Sequence, residues 1–208
     1  MNNTRRFALV VALLFITGLY FKFSTPTQER ASLSTEATLL AFGDSLTYGF
    51  GAVDAAYPKQ LAGLIGRDVI NAGISGEISA EGLLRLPKLL EEYHPDLVIL
   101  CHGGNDILRH ASKAQLKRNL LAMVSLIKKS GSEVLLVGVP GFGLFGVTTL
   151  DLYDEVAEEA NLLYEGKVLE QIENNPTLKS DRIHPNAQGY AMMAEAFASV
   201  LDENMLLE

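Results

Sequence analysis

The chain is poor in cysteine and in clustered basic residues, and each scarcity excludes a class of protein. Cys101 is the single cysteine among 208 residues, which excludes an intramolecular disulfide and a thiolate-rich metal site. Acidic residues outnumber basic ones, 25 to 17, giving a net charge of −8. No extended cluster of Lys and Arg follows the N-terminus, which argues against nucleic acid as a partner.

The sequence also has no internal repeat and no sign of a second core. Its apolar content of 48% and charged content of 20% are typical of a globular chain. A length of 208 residues favours one domain with a sizeable core.

The N-terminus carries a segment distinct from the rest of the chain. Arg5-Arg6 precedes an unbroken apolar run, Phe7–Phe21, which ends at Lys22. A basic flank before such a run is typical of a signal peptide or a short membrane anchor, so we interpret residues 1–23 in this way. A buried N-terminal helix is the alternative, although the run has no polar face.

This interpretation predicts export to the periplasm or the outside of the cell. The basic flank stays in the cytoplasm, and residues 7–23 either are cleaved off or anchor the protein to the inner membrane. Residues 24–36 are polar and lack periodicity, and we expect a linker there. The domain proper is expected to span residues 37–208. Nothing in the sequence indicates an oligomer, and a monomer is favoured.

Strand and helix patterns alternate along this domain. We expect strands at 37–42, 68–71, 97–101, 133–139 and 162–164, and helices at 59–65, 79–93, 113–129, 150–160, 168–172 and 187–201. Each connection is long enough for a parallel crossover. The pattern therefore predicts an α/β protein, a three-layer α/β/α sandwich with a parallel sheet of four or five strands.

Three of these strands end in glycine-containing loops with polar tips. The loops are Gly43-Asp44-Ser45, Gly73-Ile74-Ser75-Gly76 and Gly103-Gly104-Asn105-Asp106. In a parallel sheet the three ends lie along one edge, where open α/β proteins bind ligands. We therefore expect the functional site there, with Ser45 as candidate nucleophile and Asp44 as a brace for its loop.

A serine hydroxyl needs a base to take its proton, and the sequence offers four histidines. His94 and His110 are expected on surface loops, and His102 either lines the site or packs inside its own loop. His184 differs because it stands three residues after Asp181, so one tight turn brings a carboxylate to its ring, as in a catalytic triad. The equally weighted alternative is a helix start, with Asn186 as cap and Asp181 as turn former.

An acyl-transfer site also needs donors for a developing oxyanion. Gly76 can offer an unobstructed backbone N–H, Asn105 a side-chain amide, and Ser45 its own N–H. Each of these residues is alternatively an ordinary turn residue. Asp106 is interpreted as a structural hydrogen-bond acceptor or helix cap.

Four short blocks of the sequence resemble those of the GDSL, or SGNH, hydrolase family. They are Gly-Asp-Ser-Leu at 43–46, Asn-Ala-Gly-Ile-Ser-Gly at 71–76, Gly-Gly-Asn-Asp at 103–106 and Asp-x-x-His-Pro-Asn at 181–186. They occur in the family's order and span nearly the whole domain. The segment between the second and third blocks is most similar to the exported acyl-thioesterase/lysophospholipase and arylesterase branch.

This resemblance implies a flavodoxin-like fold and hydrolysis of esters or thioesters of small-molecule or lipid acyl substrates, with no metal or cofactor. It implies that Ser45 is the nucleophile, Gly76 and Asn105 are oxyanion donors, His184 is the base and Asp181 is the acid. One departure is Gly73, where close relatives often have serine. The segment between 139 and 181 is less similar, so the acyl chain length is not implied.

A glycine-rich, aromatic loop is expected after the fourth strand. Phe142, Leu144 and Phe145 form either an apolar wall or lid of the substrate pocket, or core packing under a loop. Three other functions stay open: a metallophosphoesterase, a catalytically silent lipid- or glycan-binding protein, and a deacetylase of a cell-envelope glycan.

Overall fold

The computed structural model describes residues 32–143, 146–204 and 206–207. The predicted leader at 1–23 lies outside them, as do Leu144, Phe145 and the side chain of Phe142. Within the described ranges no helix combines the length and apolar character that a membrane crossing requires.

Five parallel strands form the central sheet, in the order β2-β1-β3-β4-β7. The strands of the structure are β1 (Thr38–Gly43), β2 (Asp68–Gly73), β3 (Leu97–Cys101), β4 (Glu133–Val137), β5 (Pro140–Gly143), β6 (Gly146–Thr149) and β7 (Leu163–Glu165). The strand β3 is buried along its whole length, because a parallel sheet covered on both faces favours continuous apolar runs. The edge strand β2 is only partly buried.

Helices cover both faces of this sheet, which confirms the predicted three-layer α/β/α architecture. They are α1 (Ser45–Tyr48), α2 (Tyr57–Ile65), α3 (Ser79–Tyr93), α4 (Gly104–Leu108), α5 (Lys113–Lys129), α6 (Asp151–Ala160), α7 (Val168–Glu173) and α8 (Ala187–Glu203). Helices α2 and α8 pack together through an edge-on contact of Tyr57 and Phe197. Helix α3 packs against α5, and α5 against α6.

The strand order places a switch of direction between β1 and β3. The chain leaves β1 toward β2 and then crosses back to β3 on the other side of β1. The crevice for ligands in such sheets opens at the carboxyl ends of the two strands that flank the switch. Here those ends are Gly43 and Cys101, which are register partners.

The segment after β4 differs from the predicted loop. Strands β5 and β6 form a two-stranded antiparallel hairpin, in which Pro140 pairs with Thr149 and Phe142 with Val147. The strand β4 itself ends at Val137, two residues before the predicted end. A proline and three glycines in one segment are typical of a loop, so the composition gave no indication of the antiparallel pairing between these neighbouring strands.

The amino-terminal boundary of the folded region also differs from the prediction. Leu33 lies inside the predicted linker 24–36, yet it is buried and forms a parallel bridge with Leu207. The Arg67 guanidinium donates hydrogen bonds to the carbonyl oxygens of Leu33 (2.8 Å) and Ser34 (2.9 Å). The packed region therefore begins before residue 37, since one buried leucine among polar neighbours gives no periodic signal.

Candidate active site

Ser45 is the first residue of the short helix α1, and Asp44 alone separates it from the end of β1. The turn into it requires glycine at position 43, because a Cβ there would lie 2.1 Å from the carbonyl oxygen of Cys101. Asp44 caps the helix: its Oδ1 accepts a hydrogen bond from the Leu46 N–H at 3.1 Å. Burial raises the pKa of the Asp44 carboxyl. A helix thus starts where the sequence predicted a loop, and it holds Ser45 at the edge of the sheet.

The structure brings Ser45, His184 and Asp181 into one hydrogen-bonded series. Ser45 Oγ lies 3.0 Å from His184 Nε2, and His184 Nδ1 lies 2.7 Å from Asp181 Oδ2. An ionised carboxylate only accepts, so Nδ1 carries the proton and the Nε2 lone pair faces the hydroxyl. The imidazole is therefore oriented to accept a proton from Ser45.

The loop that carries His184 is fixed by Asp181 and Asn186. Asp181 Oδ1 accepts from the backbone N–H groups of Ile183 (2.7 Å) and His184 (2.8 Å). Although partial desolvation opposes it, these two bonds and the His184 ring lower the pKa of Asp181 to about 2. Asn186 caps α8 through the N–H groups of Gln188 and Gly189. The two alternative interpretations of this segment therefore hold together, since it both starts a helix and orients a histidine.

Gly76 and Asn105 face the same cleft as Ser45. Gly76 has a positive φ of 84°, and within the described part of the chain its N–H has no hydrogen-bond acceptor. Asn105 Nδ2 donates to the Glu77 carbonyl at 3.0 Å and, more weakly, to Asp44 Oδ2 at 3.3 Å. Gly76, in the loop after β2, and Asn105, in the first turn of α4, thus line the cleft that also contains Ser45.

The cleft beside Ser45 has a volume of about 370 Å³ and mainly apolar walls. Val139, Pro140, Leu169 and Ile183 contribute to these walls. The ring of Phe50 packs at 4.4 Å from the His184 ring, measured between centroids. The predicted pocket residues Phe142, Leu144 and Phe145 are not described at the side-chain level, so their role stays a prediction.

The other histidines lie apart from this series. His94 ends α3 with a positive φ, and His110 is exposed. His102 is fully buried and hydrogen-bonded to Glu77 (3.2 Å), so it packs inside the protein. In the described part of the chain no three His, Cys, Asp or Glu side chains are grouped as metal ligands.

Sequence reasoning missed a set of buried polar residues behind the site. Asp106 accepts from the N–H (2.7 Å) and the hydroxyl (2.6 Å) of Ser79 at the start of α3, in line with its expected structural role. Asn119 donates to the same hydroxyl at 2.8 Å. The buried Glu77, next to Gly76, forms an ion pair with the half-buried Arg85. The only local signal was an arginine on the leucine-rich helix α3, which is weak without its partner.

A Ser–His–Asp series at the carboxyl edge of a parallel sheet is the arrangement that serine hydrolases use, and comparison with known proteins agrees with this class. The sequence pattern of the GDSL-like lipase/acylhydrolase family matches residues 41–192. The chain is 33% identical over 188 residues to an arylesterase of Vibrio mimicus, covering 85% of this chain and 94% of that protein. It is 31% identical over 209 residues to thioesterase 1/protease 1/lysophospholipase L1 of Escherichia coli K12, covering 97% and 96%.

The fold agrees with these matches. The crystal structure of TesA superposes with a TM-score of 0.72 at 30% identity, covering 80% of this chain and 99% of that one. The chain therefore belongs to the GDSL-like lipase/acylhydrolase family. As a member of this family it is a hydrolase of carboxylic esters or thioesters.

Proposed function

We propose that the chain hydrolyses acyl esters and thioesters through an acyl-enzyme on Ser45, with His184 as general base and Asp181 as its orienting acid. The observation that carries the proposal is the unbroken series from Ser45 Oγ to His184 Nε2 (3.0 Å) and from His184 Nδ1 to Asp181 (2.7 Å). Each distance is within the range over which a proton can be transferred or held.

In the first half-reaction the Ser45 oxygen attacks the acyl carbon while His184 Nε2 takes the serine proton. The imidazolium then gives this proton to the leaving alcohol or thiol. In the second half-reaction a water molecule loses a proton to His184 and attacks the acyl carbon. The bond from that carbon to Ser45 Oγ then breaks, the carboxylic acid leaves, and His184 returns the proton to Ser45. The carboxylate of Asp181 stabilises the imidazolium in both halves.

The oxyanion that forms in each half-reaction is held by the N–H groups of Gly76, Ser45 and Asn105. The Gly76 N–H is already free of protein acceptors in the described structure. One Asn105 hydrogen is held by the short bond to Glu77, and the other makes only the longer contact to Asp44. The second hydrogen is the one that turns to the substrate oxygen, because its present bond is the weaker.

The acyl group occupies the apolar cleft, where Val139, Leu169 and Ile183 form described walls. We further propose that Phe142, Leu144 and Phe145 contact the acyl group as well. Since relatives are named arylesterase and thioesterase, the proposed function includes both esters and thioesters as substrates. Rates with matched acyl esters and acyl-CoA thioesters measure the preference.

The direct test is hydrolysis of p-nitrophenyl butyrate by purified variants. Ser45→Ala and His184→Ala are each expected to lower kcat by about 10⁶-fold. His110→Ala is the matched control, because His110 is an exposed histidine outside the series. Retention of activity by Ser45→Ala would contradict the proposal.

The N-terminal segment supports a second, separate proposal about location. Arg5-Arg6 followed by Phe7–Phe21 has the composition of an export signal or anchor, so the catalytic domain is exported and residues 7–23 either are removed or hold it at the membrane. Fusion of residues 1–31 to a reporter that is active only outside the cytoplasm is expected to give activity. An Arg5→Glu/Arg6→Glu variant should reduce it, and an inactive wild-type fusion would contradict export.

A further inference from the structure

Glu77, the acid directly after Gly76, points into the protein. The residue is only 6% exposed. Its carboxylate accepts hydrogen bonds from Arg85 Nε (2.8 Å) and Nη2 (2.6 Å), and from His102 Nε2 (3.2 Å). Desolvation opposes its ionisation, yet Arg85 and His102 lower the pKa of Glu77 to about 2. A two-pronged arginine contact fixes a carboxylate in orientation as well as position.

Arg85 is itself fixed to two strands of the sheet. Its Nη2 donates to the carbonyl oxygen of Ala72 at 3.0 Å, and its guanidinium carbon lies 4.5 Å from the centroid of the Phe42 ring. Phe42 and Ala72 are register partners in β1 and β2. Through Arg85, the Glu77 carboxylate is therefore held in a fixed position relative to β1 and β2.

His102 holds Glu77 from the end of β3. The N–H of Gly103 donates to His102 Nδ1 at 3.0 Å, so the neutral ring carries its proton on Nε2 and donates it to Glu77. Gly82 makes room for this ring, because a Cβ there would lie 2.4 Å from Nε2. The Glu77 carboxylate is thus held from two sides, by Arg85 on α3 and by His102 directly after β3.

The main chain of Glu77 is linked to two of the proposed oxyanion donors, the Gly76 N–H and Asn105 Nδ2. Its carbonyl accepts from Asn105 Nδ2 at 3.0 Å, and Gly76 is the residue immediately before it. Burying a carboxylate costs free energy, and the hydrogen bonds from Arg85 and His102 offset that cost for Glu77. They also fix the position of Glu77, the residue that links Gly76 to Asn105. We propose that Glu77, held by Arg85 and His102, is a positioning residue that sets the geometry of the Gly76 and Asn105 oxyanion donors; this rests on the proposed function.

Glu77→Gln tests this proposal, since it keeps the shape of the side chain and removes the charge that holds Arg85. We expect kcat for p-nitrophenyl butyrate to fall by about 10- to 100-fold with KM changed by less than about threefold, because small displacements of catalytic groups act on the transition state. The upper bound is the Asn105→Ala loss, about 10²–10³-fold. Glu155→Gln, the same change in an exposed ion pair with Lys117 (2.9 Å), is expected to leave kcat unchanged.

A double-mutant cycle separates positioning from a merely structural role. In the Asn105→Ala background, Glu77→Gln is expected to lower kcat by less than about fivefold, because one of the donors that it positions is already absent. Losses that multiply, or an unchanged kcat in Glu77→Gln, would overturn the proposal. If Glu77→Gln does not fold, Arg85→Lys replaces it, because it keeps the charge and loses the two-pronged contact.

The control Ser45→Ala distinguishes the two levels of failure. If Ser45→Ala is active, the proposed function is refuted, and the proposed role of Glu77 at the oxyanion site is refuted with it. An inactive Ser45→Ala variant beside a fully active Glu77→Gln variant leaves the proposed function intact and refutes only the role of Glu77.

Discussion

Asp181→Asn is the substitution that most sharply separates orientation from shape at this site. Asp181 Oδ1 accepts from two backbone N–H groups, and Oδ2 accepts from His184 Nδ1 at 2.7 Å. Asparagine can keep the Oδ1 bonds, so its amide nitrogen replaces Oδ2. That nitrogen is a donor, and it forces Nδ1 to become the acceptor. The ring proton then moves to Nε2, where it faces Ser45 and blocks proton transfer.

The expected loss is about 10⁴-fold in kcat, the size found when a triad acid is replaced by its amide and the histidine takes the wrong tautomer. This corresponds to about 5.4 kcal/mol of transition-state stabilisation. Stability should change little, by no more than about 1 kcal/mol, because the Asp181 side chain is 45% exposed and water screens its contact with His184.

The assay is steady-state hydrolysis of p-nitrophenyl butyrate, with thermal unfolding measured on the same samples. Asp202→Asn is the matched control, because Asp202 is an exposed aspartate near the end of α8. An Asp181→Asn variant that keeps kcat within tenfold of the wild type would refute the tautomer argument. A large loss of thermal stability together with lost activity would refute the claim that the loop survives the change.

Three further predictions concern packing, acid stability and the pocket. Gly82→Ala is expected to destabilise the protein by about 1–3 kcal/mol, because the new Cβ would meet the fixed His102 ring. Gly63→Ala is the matched control: its Cβ meets nothing within 4 Å, so it should stabilise the protein by up to about 1 kcal/mol. Denaturant unfolding measures both changes. The Glu77 carboxyl has a pKa of about 2 against an ordinary 4.5. Its contribution to the free energy of unfolding, about 2–3 kcal/mol, is therefore fully present above pH 4.5 and lost as pH falls through 2. Glu77→Gln should make the free energy of unfolding depend less on pH in this range, and an unchanged pH dependence would contradict this. Phe145→Ala should shift the preferred acyl length in a p-nitrophenyl ester series, and an unchanged profile would remove that residue from the pocket.

The sheet and the location of the site could be predicted from sequence because their signals are local. An apolar strand followed by glycines and a polar tip occurs three times, and a parallel sheet places those ends on one edge. Asp181 and His184 are three residues apart, so their contact also depends on one turn. The pairing of His184 with Ser45 spans 139 positions; the Asp181–His184 spacing suggested it as one of two alternatives, and the resemblance to a family favoured it.

The parts that were missed depend on partners far apart in sequence. The inward orientation of Glu77 depends on Arg85 in the next helix and on His102 at the end of β3, and neither partner marks the acid in sequence. The hairpin β5–β6 was missed for a different reason. Pro140 and its neighbouring glycines favour a loop by composition, whereas in the structure Pro140 pairs with Thr149 and Gly143 with Gly146.

The most direct test of the central claim is the mass of the protein after reaction with a fluorophosphonate, which forms a stable bond only with an activated serine. We expect one adduct per chain, mapped by peptide mass spectrometry to Ser45, and no adduct in Ser45→Ala. Asp181→Asn should be modified far more slowly than the wild type, because its His184 no longer accepts the serine proton. A wild-type protein that stays unmodified, or an adduct on another residue, would contradict the assignment of Ser45 as nucleophile.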